Sequence, residues 1–212
     1  RSKERIVRRM DAWGFNTIGN WSDPEVARLN RKAFTVQLRG VGIDGSLMGL
    51  TDVYTDDFAA KVDAACRATV ESYKDNPWLI GYFTGNEPAW LDQEERLCDL
   101  ILKGPERPIQ AALSKWLAGG DSPARRKKFI FQTFRIFLET VDRAVTKYDP
   151  NHLNIGIRFG NIRKIDPQVL EICRDVLSKD LKIYGCFRNE ELVGGCPLFI
   201  KNIKGILKMA NS

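Results

Sequence analysis

The sequence predicts an α/β fold in which parallel strands are joined by crossover helices. Two observations carry that expectation. Short apolar runs of strand length alternate with longer stretches whose apolar residues recur at three- and four-residue spacing. Strand–helix–strand order in turn requires parallel pairing through crossovers, with helices covering the sheet. A third observation narrows the class. The glycines between Gly40 and Gly49 form neither GxGxxG nor a phosphate-loop lysine pattern, which disfavours a dinucleotide-binding sheet.

The elements follow in order. Glu4 to Trp13 reads as an amphipathic helix on Ile6, Val7, Met10 and Trp13, capped by Gly14. Phe15 to Gly19 is a short strand. Ser22-Asp23-Pro24-Glu25 is a helix start with proline in the first turn, leading into a short helix over Val26 to Arg31. Ala33 to Leu38 is the next strand, and Gly40 to Gly49 a loop. Thr55-Asp56-Asp57 opens a helix to about Lys74, which Asn76-Pro77 stops. Trp78 to Phe83 is the third strand.

A long excursion comes next. Asp92 to Lys103 and Pro105 to Trp116 read as helices, and Ala124 to Tyr148 as the longest, with Phe129, Phe131, Phe134, Phe137, Leu138, Val141 and Val145 at helical spacing. Those aromatics belong to a core rather than a ligand site. His152 to Gly160 is a fourth strand, Val169 to Leu177 a helix, and Leu181 to Gly185 a weaker fifth strand.

With 212 residues, 43% hydrophobic and 28% charged, the chain has the composition of one folded domain with its own core. No apolar run approaches the ~20 residues that span a bilayer, so no membrane span is expected. Arg1-Ser2-Lys3-Glu4-Arg5 contains neither an initiating methionine nor a cleavable signal, which leaves room for a missing N-terminus. The net charge is +6. Its basic residues fall in short clusters, Arg5 to Arg9 and Arg125 to Lys128, among acids at helix-like positions. These are solvated helix faces, and no nucleic-acid partner is expected. Five cysteines without a CxxC pair give neither a zinc signature nor a disulfide framework, and no cofactor is implied. Cys66 and Cys173 sit at apolar helical positions, as small buried hydrophobes do.

The third strand runs into Gly85-Asn86-Glu87-Pro88-Ala89-Trp90. Proline after the carboxylate forbids further ladder pairing, so Glu87 falls at the strand tip. Taken alone, the tripeptide fits an ordinary strand exit with one solvated glutamate better than it fits a catalytic tip. The other strand ends reverse that balance. In a parallel barrel the working residues cluster at the C-terminal strand ends. Those ends hold Asn20 and Trp21, then Arg39, then Asn86, Glu87 and Trp90, then Arg158, then Tyr184. Indoles stack on sugar faces, while amides and arginines bind hydroxyls in forked pairs. Together they make a carbohydrate-site inventory, although core packing or a structural ion pair accounts equally well for Trp21 and Arg158.

Three motifs in order resemble a known family. Trp13 to Ser22 (WGFNTIGNWS), Asn76 to Phe83 (NPWLIGYF) followed by Asn86-Glu87, and His152 to Phe159 (HLNIGIRF) are similar to agarase-type glycoside hydrolases over roughly residues 5 to 185. These are retaining enzymes in the clan of (β/α)8 barrels that includes β-galactosidases and cellulases. The resemblance implies that Glu87 is the general acid/base and that Asn86 binds the sugar 2-hydroxyl. It also implies a role for Tyr184 in orienting the nucleophile if its strand is the sixth, and a secreted or periplasmic location. An acid of this kind protonates the leaving oxygen and then, ionised, activates water, a task suited to a partly desolvated pocket.

The chain also departs from that family. Thr84-Gly85 stands where an acidic residue is common, and no apolar strand leads into the late glutamates Glu190 and Glu191, which read as a surface turn within a divergent tail over 186–212. A retaining enzyme needs a second carboxylate about 5–5.5 Å from the first. The family takes it from the seventh strand, whereas the motifs here run from just before the second strand to the sixth. The expected architecture is therefore a single domain over 1–212, an incomplete (β/α)8 TIM-type barrel of about five parallel strands with outer helices. Its open edges would invite association. Two functions remain open: part of a retaining glycosidase acting on a β-linked, galactose-rich glycan, or a non-catalytic remnant that at most binds sugar.

Overall fold

The computed structural model describes residues 2–160, 165–177, 181–188 and 191–199, the last two segments as backbone. Four strands form one sheet: β1 (Thr17–Ile18), β2 (Ala33–Gln37), β3 (Leu79–Asn86) and β4 (Leu153–Arg158). They lie in the order β1-β2-β3-β4, and every pair is parallel. The α/β fold with crossover helices is thus observed.

α1 (Ser2–Ala12) leads into β1, and the crossovers from β1 to β2 and from β2 to β3 carry α2 (Pro24–Ala27) and α3 (Phe58–Val70). Between β3 and β4 lie α4 (Glu94–Lys103), α5 (Pro108–Leu117) and α6 (Pro123–Tyr148), and α7 (Pro167–Leu177) follows β4. Asp23 caps α2 by accepting the Glu25 N–H at 2.9 Å, with Pro24 in the first turn where its missing N–H costs nothing. Ser122 does the same for α6, accepting the Arg125 N–H at 3.3 Å. The seven apolar residues expected on the inner stripe of α6 are all buried, and α6 packs against α3, α4, α5 and α7.

Side-chain alternation gives the sheet two unlike faces. Phe34, Leu38, Tyr82, Thr84 and Asn154 are buried on the helix side, whereas Thr35, Gln37, Phe83, Ile155 and Ile157 on the other face are only half-buried. Near the N-terminal ends of β3 and β4 a buried polar knot ties sheet to helix. Tyr82 Oη donates to Asp149 Oδ2 at 2.8 Å, and His152 Nδ1 lies 2.7 Å from the same oxygen. Asp149 Oδ1 accepts the backbone N–H groups of Asn151 and His152.

Several boundaries differ from expectation: the helix expected over Val26 to Arg31 is Pro24–Ala27, and the one expected from Thr55 to about Lys74 is Phe58–Val70. β3 extends past Phe83 to Asn86, because Gly85 and Asn86 still pair with Ile157 and Arg158. The segment expected as a fifth parallel strand, β5 (Leu181–Arg188), pairs antiparallel with β6 (Glu191–Phe199) in a separate two-stranded sheet. A two-residue link permits only antiparallel pairing, since parallel neighbours need a crossover of a dozen or more residues. Glu191 thus opens a strand, and Glu190 lies outside the described residues. Among the described residues, no helix is long and apolar enough to cross a membrane.

Candidate active site

The C-terminal ends of β3 and β4 are joined by one arginine. Arg158 Nη1 donates to Asn86 Oδ1 at 2.8 Å and also to Glu87 Oε1. The backbone reinforces this contact, since Glu87 N–H donates to the Arg158 carbonyl at 2.7 Å. The Arg158 guanidinium carbon sits 5.9 Å from the centre of the Trp21 ring, a cation–π distance. Residues after β1, β3 and β4 therefore meet at one rim, as strand-end reasoning expects.

Local sequence explains the placement. Pro88 keeps the residue before it out of the right-handed helical region, and Glu87 takes a left-handed φ of 44, outside the extended range that a following proline favours. Trp21, with φ 62, is a second left-handed non-glycine residue, and its indole is exposed. Such conformations cost about 1–3 kcal/mol and persist where the surroundings over-determine them. Here the surroundings include the glycine-rich loop. Ala89 N–H donates to the Met48 carbonyl at 2.9 Å, and a Cβ on Gly49 would meet Pro88 Cα at 3.3 Å, so only glycine allows this approach without displacement. Asp44 holds the loop by accepting the Ser46 N–H at 2.8 Å and Arg107 Nη1 at 2.8 Å.

The remaining candidates divide. Asn20 turns toward β2: its Nδ2 donates to Gln37 Oε1 at 3.1 Å, and its Oδ1 accepts from Thr35 Oγ1 at 3.4 Å. Arg39 is exposed at the end of β2. Trp90 leaves the site altogether. It is 1% exposed, with its ring 5.2 Å from Phe134 and 6.3 Å from Phe131, so no face remains for a sugar. Tyr184 belongs to β5, outside the parallel sheet, rather than to a sixth parallel strand.

Two further residues shape the rim. Gln37 holds Asn20, and the alternation Phe34-Thr35-Val36-Gln37-Leu38 already marks it as the polar-face partner. Gly160 lies so close to Glu87 that a Cβ there would meet Glu87 Cδ and Cγ at 2.9 Å. No sequence signal sets that glycine apart from the chain's others.

Chemically, the rim offers one carboxylate. Among the described residues at the four parallel strand ends, Glu87 is the sole acid. Its side chain is 46% exposed and that of Arg158 49%, so this ion pair is solvated and structurally modest.

Comparison with known proteins gives the same direction. No protein-family model matches the chain. A curated relative, "Beta-agarase A" of Vibrio sp. (strain JT0107), is 32% identical over 101 residues, 42% of this chain and 10% of the relative. The chain thus spans about a tenth of the length of that relative. Among solved structures, an agarase, AgWH50C, is similar with a TM-score of 0.65 and 23% identity, over 82% of this chain and 30% of the agarase. An exo-beta-agarase gives a TM-score of 0.63 and 22% identity over the same shares. The chain resembles agarase-type glycoside hydrolases, in sequence over about two fifths of its length and in fold over most of it.

Proposed function

We propose that this chain carries the acid/base part of a retaining glycosidase that cleaves a β-linked, galactose-rich glycan. In this reading β1 to β4 correspond to the second to fifth strands of an eight-stranded barrel, and the outer edges of β1 and β4 receive neighbouring strands. The observation that carries the reading is Asn86-Glu87 at a parallel strand tip, facing Arg158 on the next strand and sharing its rim with Trp21. The similarity to agarases supports the substrate class.

Glu87 would donate its proton to the glycosidic oxygen as the bond breaks, and its carboxylate would then take a proton from the water that resolves the intermediate. A second carboxylate, from sequence outside the four described strand tips, would form and release the glycosyl–enzyme bond. Asn86 would bind the 2-hydroxyl next to the reacting carbon. Trp21 offers an exposed indole for stacking on a sugar ring, and Asn20 and Arg39 offer polar contacts at the same rim.

A second reading, a sugar-binding chain without catalysis, is favoured by one observation: Glu87 is the sole acid at the described strand tips. Hydrolysis of an aryl β-galactoside and binding of galactan oligosaccharides separate the two. Hydrolysis that falls by about 10²–10⁴-fold in Glu87→Gln supports the first reading. Binding that weakens in Trp21→Ala, with no hydrolysis in the parent chain, supports the second. Neither binding nor hydrolysis overturns both.

A further inference from the structure

We propose that Arg158 is a positioning residue that assigns a separate task to each polar atom of Asn86 and Glu87, and that Gly160 provides the space in which Glu87 can accept that assignment. This inference rests on the acid/base reading of Glu87, which it deepens.

The argument begins with what a guanidinium can do. Arginine only donates, so whatever atom faces it must be an acceptor. Arg158 Nη1 reaches Asn86, and the amide must therefore turn Oδ1 toward it, at 2.8 Å. Nδ2 then points elsewhere as a donor. A donor is what the oxygen of a sugar hydroxyl can accept, whereas a flipped amide would present a second acceptor there. The same nitrogen engages Glu87 Oε1. Glu87 Oε2 accepts no hydrogen bond from the described residues, so Oε2 is the oxygen left to carry and return the proton. One side chain thereby fixes the polarity of its neighbour and distinguishes two chemically equivalent oxygens.

Three features hold the arginine and the glutamate in that relation. The guanidinium lies over the Trp21 ring at 5.9 Å. The backbone link from Glu87 N–H to the Arg158 carbonyl at 2.7 Å sets the register of the two strand ends. Gly160, two residues beyond Arg158, leaves empty the volume in which a Cβ would meet Glu87 Cγ and Cδ at 2.9 Å. An alanine there must displace the glutamate, whose Cγ, Cδ and Oε1 are the three nearest atoms, whereas the Arg158–Asn86 contact is made on the other partner. The two halves of the proposal can therefore be separated by mutation.

The test is side-chain NMR on the isotope-labelled full chain, with the Asn86 amide assigned by Asn86→Asp and the Glu87 rotamer read from its side-chain couplings. In the wild-type chain the Asn86 amide is expected as one pair of signals from a single orientation, with Oδ1 on Arg158, and Glu87 as one rotamer. Arg158→Met should lose both, Arg158→Lys should restore them in part, and Gly160→Ala should lose the Glu87 rotamer while keeping the Asn86 amide. Arg158→Gln is read the same way if Arg158→Met does not fold. Unchanged Asn86 and Glu87 signals in folded Arg158 variants overturn the proposal. On an aryl β-galactoside, positioning predicts a fall in kcat at constant KM for Arg158→Met, and a rise in KM at constant kcat would make Arg158 a substrate ligand instead. Absence of hydrolysis in the parent counts against the acid/base reading alone, because the NMR comparison needs no turnover.

Discussion

The phenol of Tyr82 and the carboxylate of Asp149 meet at 2.8 Å in the interior, joining the third strand to the end of the longest helix. Both residues are essentially inaccessible to water, at 0% and 1% exposure. Tyr82→Phe keeps the ring and removes the donor, leaving a buried carboxylate short of one hydrogen bond. The expected loss is about 1–3 kcal/mol of unfolding free energy, measured by urea titration at neutral pH. A loss within experimental error would mean that the other donors to Asp149 suffice.

The same carboxylate predicts a pH dependence. Burial pushes the Asp149 acid upward, but the hydrogen bonds from Tyr82, from His152 and from the backbone of residues 151 and 152 outweigh it and hold the group below the ordinary carboxylate range. A lowered native value stabilises the fold above the unfolded value near 4 and is lost as pH falls through the native one. Stability should therefore decline as pH drops below about 4. Asp149→Asn should lower stability at neutral pH and flatten that acid limb, which denaturant midpoints between pH 2 and pH 7 would show.

Trp90 is a core residue between Phe131 and Phe134. Trp90→Ala should cost about 3–5 kcal/mol, the range for emptying an aromatic site in a packed interior. A sugar platform would behave in the opposite way, losing ligand affinity at unchanged stability. Thermal unfolding and oligosaccharide titration of one variant distinguish the two.

Thr84 is fully buried, and its Oγ1 finds no hydrogen-bond partner among the described residues. Thr84→Val preserves the branched shape that suits a strand and removes the orphan hydroxyl. It is expected to be neutral or to stabilise by about 1 kcal/mol. Clear destabilisation would reveal a partner for that hydroxyl.

Burial pushes the Cys66, Cys98 and Cys173 thiols up to about 12. Thiolates are the reactive form. Alkylation at pH 8 followed by peptide mapping should leave these three unlabelled in the native chain and label them in denaturant. Native labelling of any of them would show local opening at its helix.

How much of this was legible beforehand depended on distance along the chain. Proline after Glu87, helical spacing in α6 and the Asn-Pro stop before β3 are local signals, and the elements they mark were found at or within a few residues of their expected ends. Trp90 was misplaced because its neighbours Phe131 and Phe134 lie some forty positions away. An indole just after a strand tip looks the same in sequence whether it faces solvent or a helix. The strand at 181 was read without the partner at 191 to 199, and that partner decides its direction. Arg158 was found as a rim residue, but its bridge between Asn86 and Glu87 depends on register between β3 and β4, which no single strand encodes.

The strand order β1-β2-β3-β4 also bears on how the chain acquires its shape. Each strand pairs with the one made just before it, although β4 follows β3 only after the three helices α4, α5 and α6. Loop closure over that span costs more entropy than the short β1–β2 connection, so β4 is the slowest strand to join. Synthesis from the N-terminus can therefore lay the sheet down one strand at a time, and the rim that unites Trp21, Glu87 and Arg158 comes together only when the last of the four has been added.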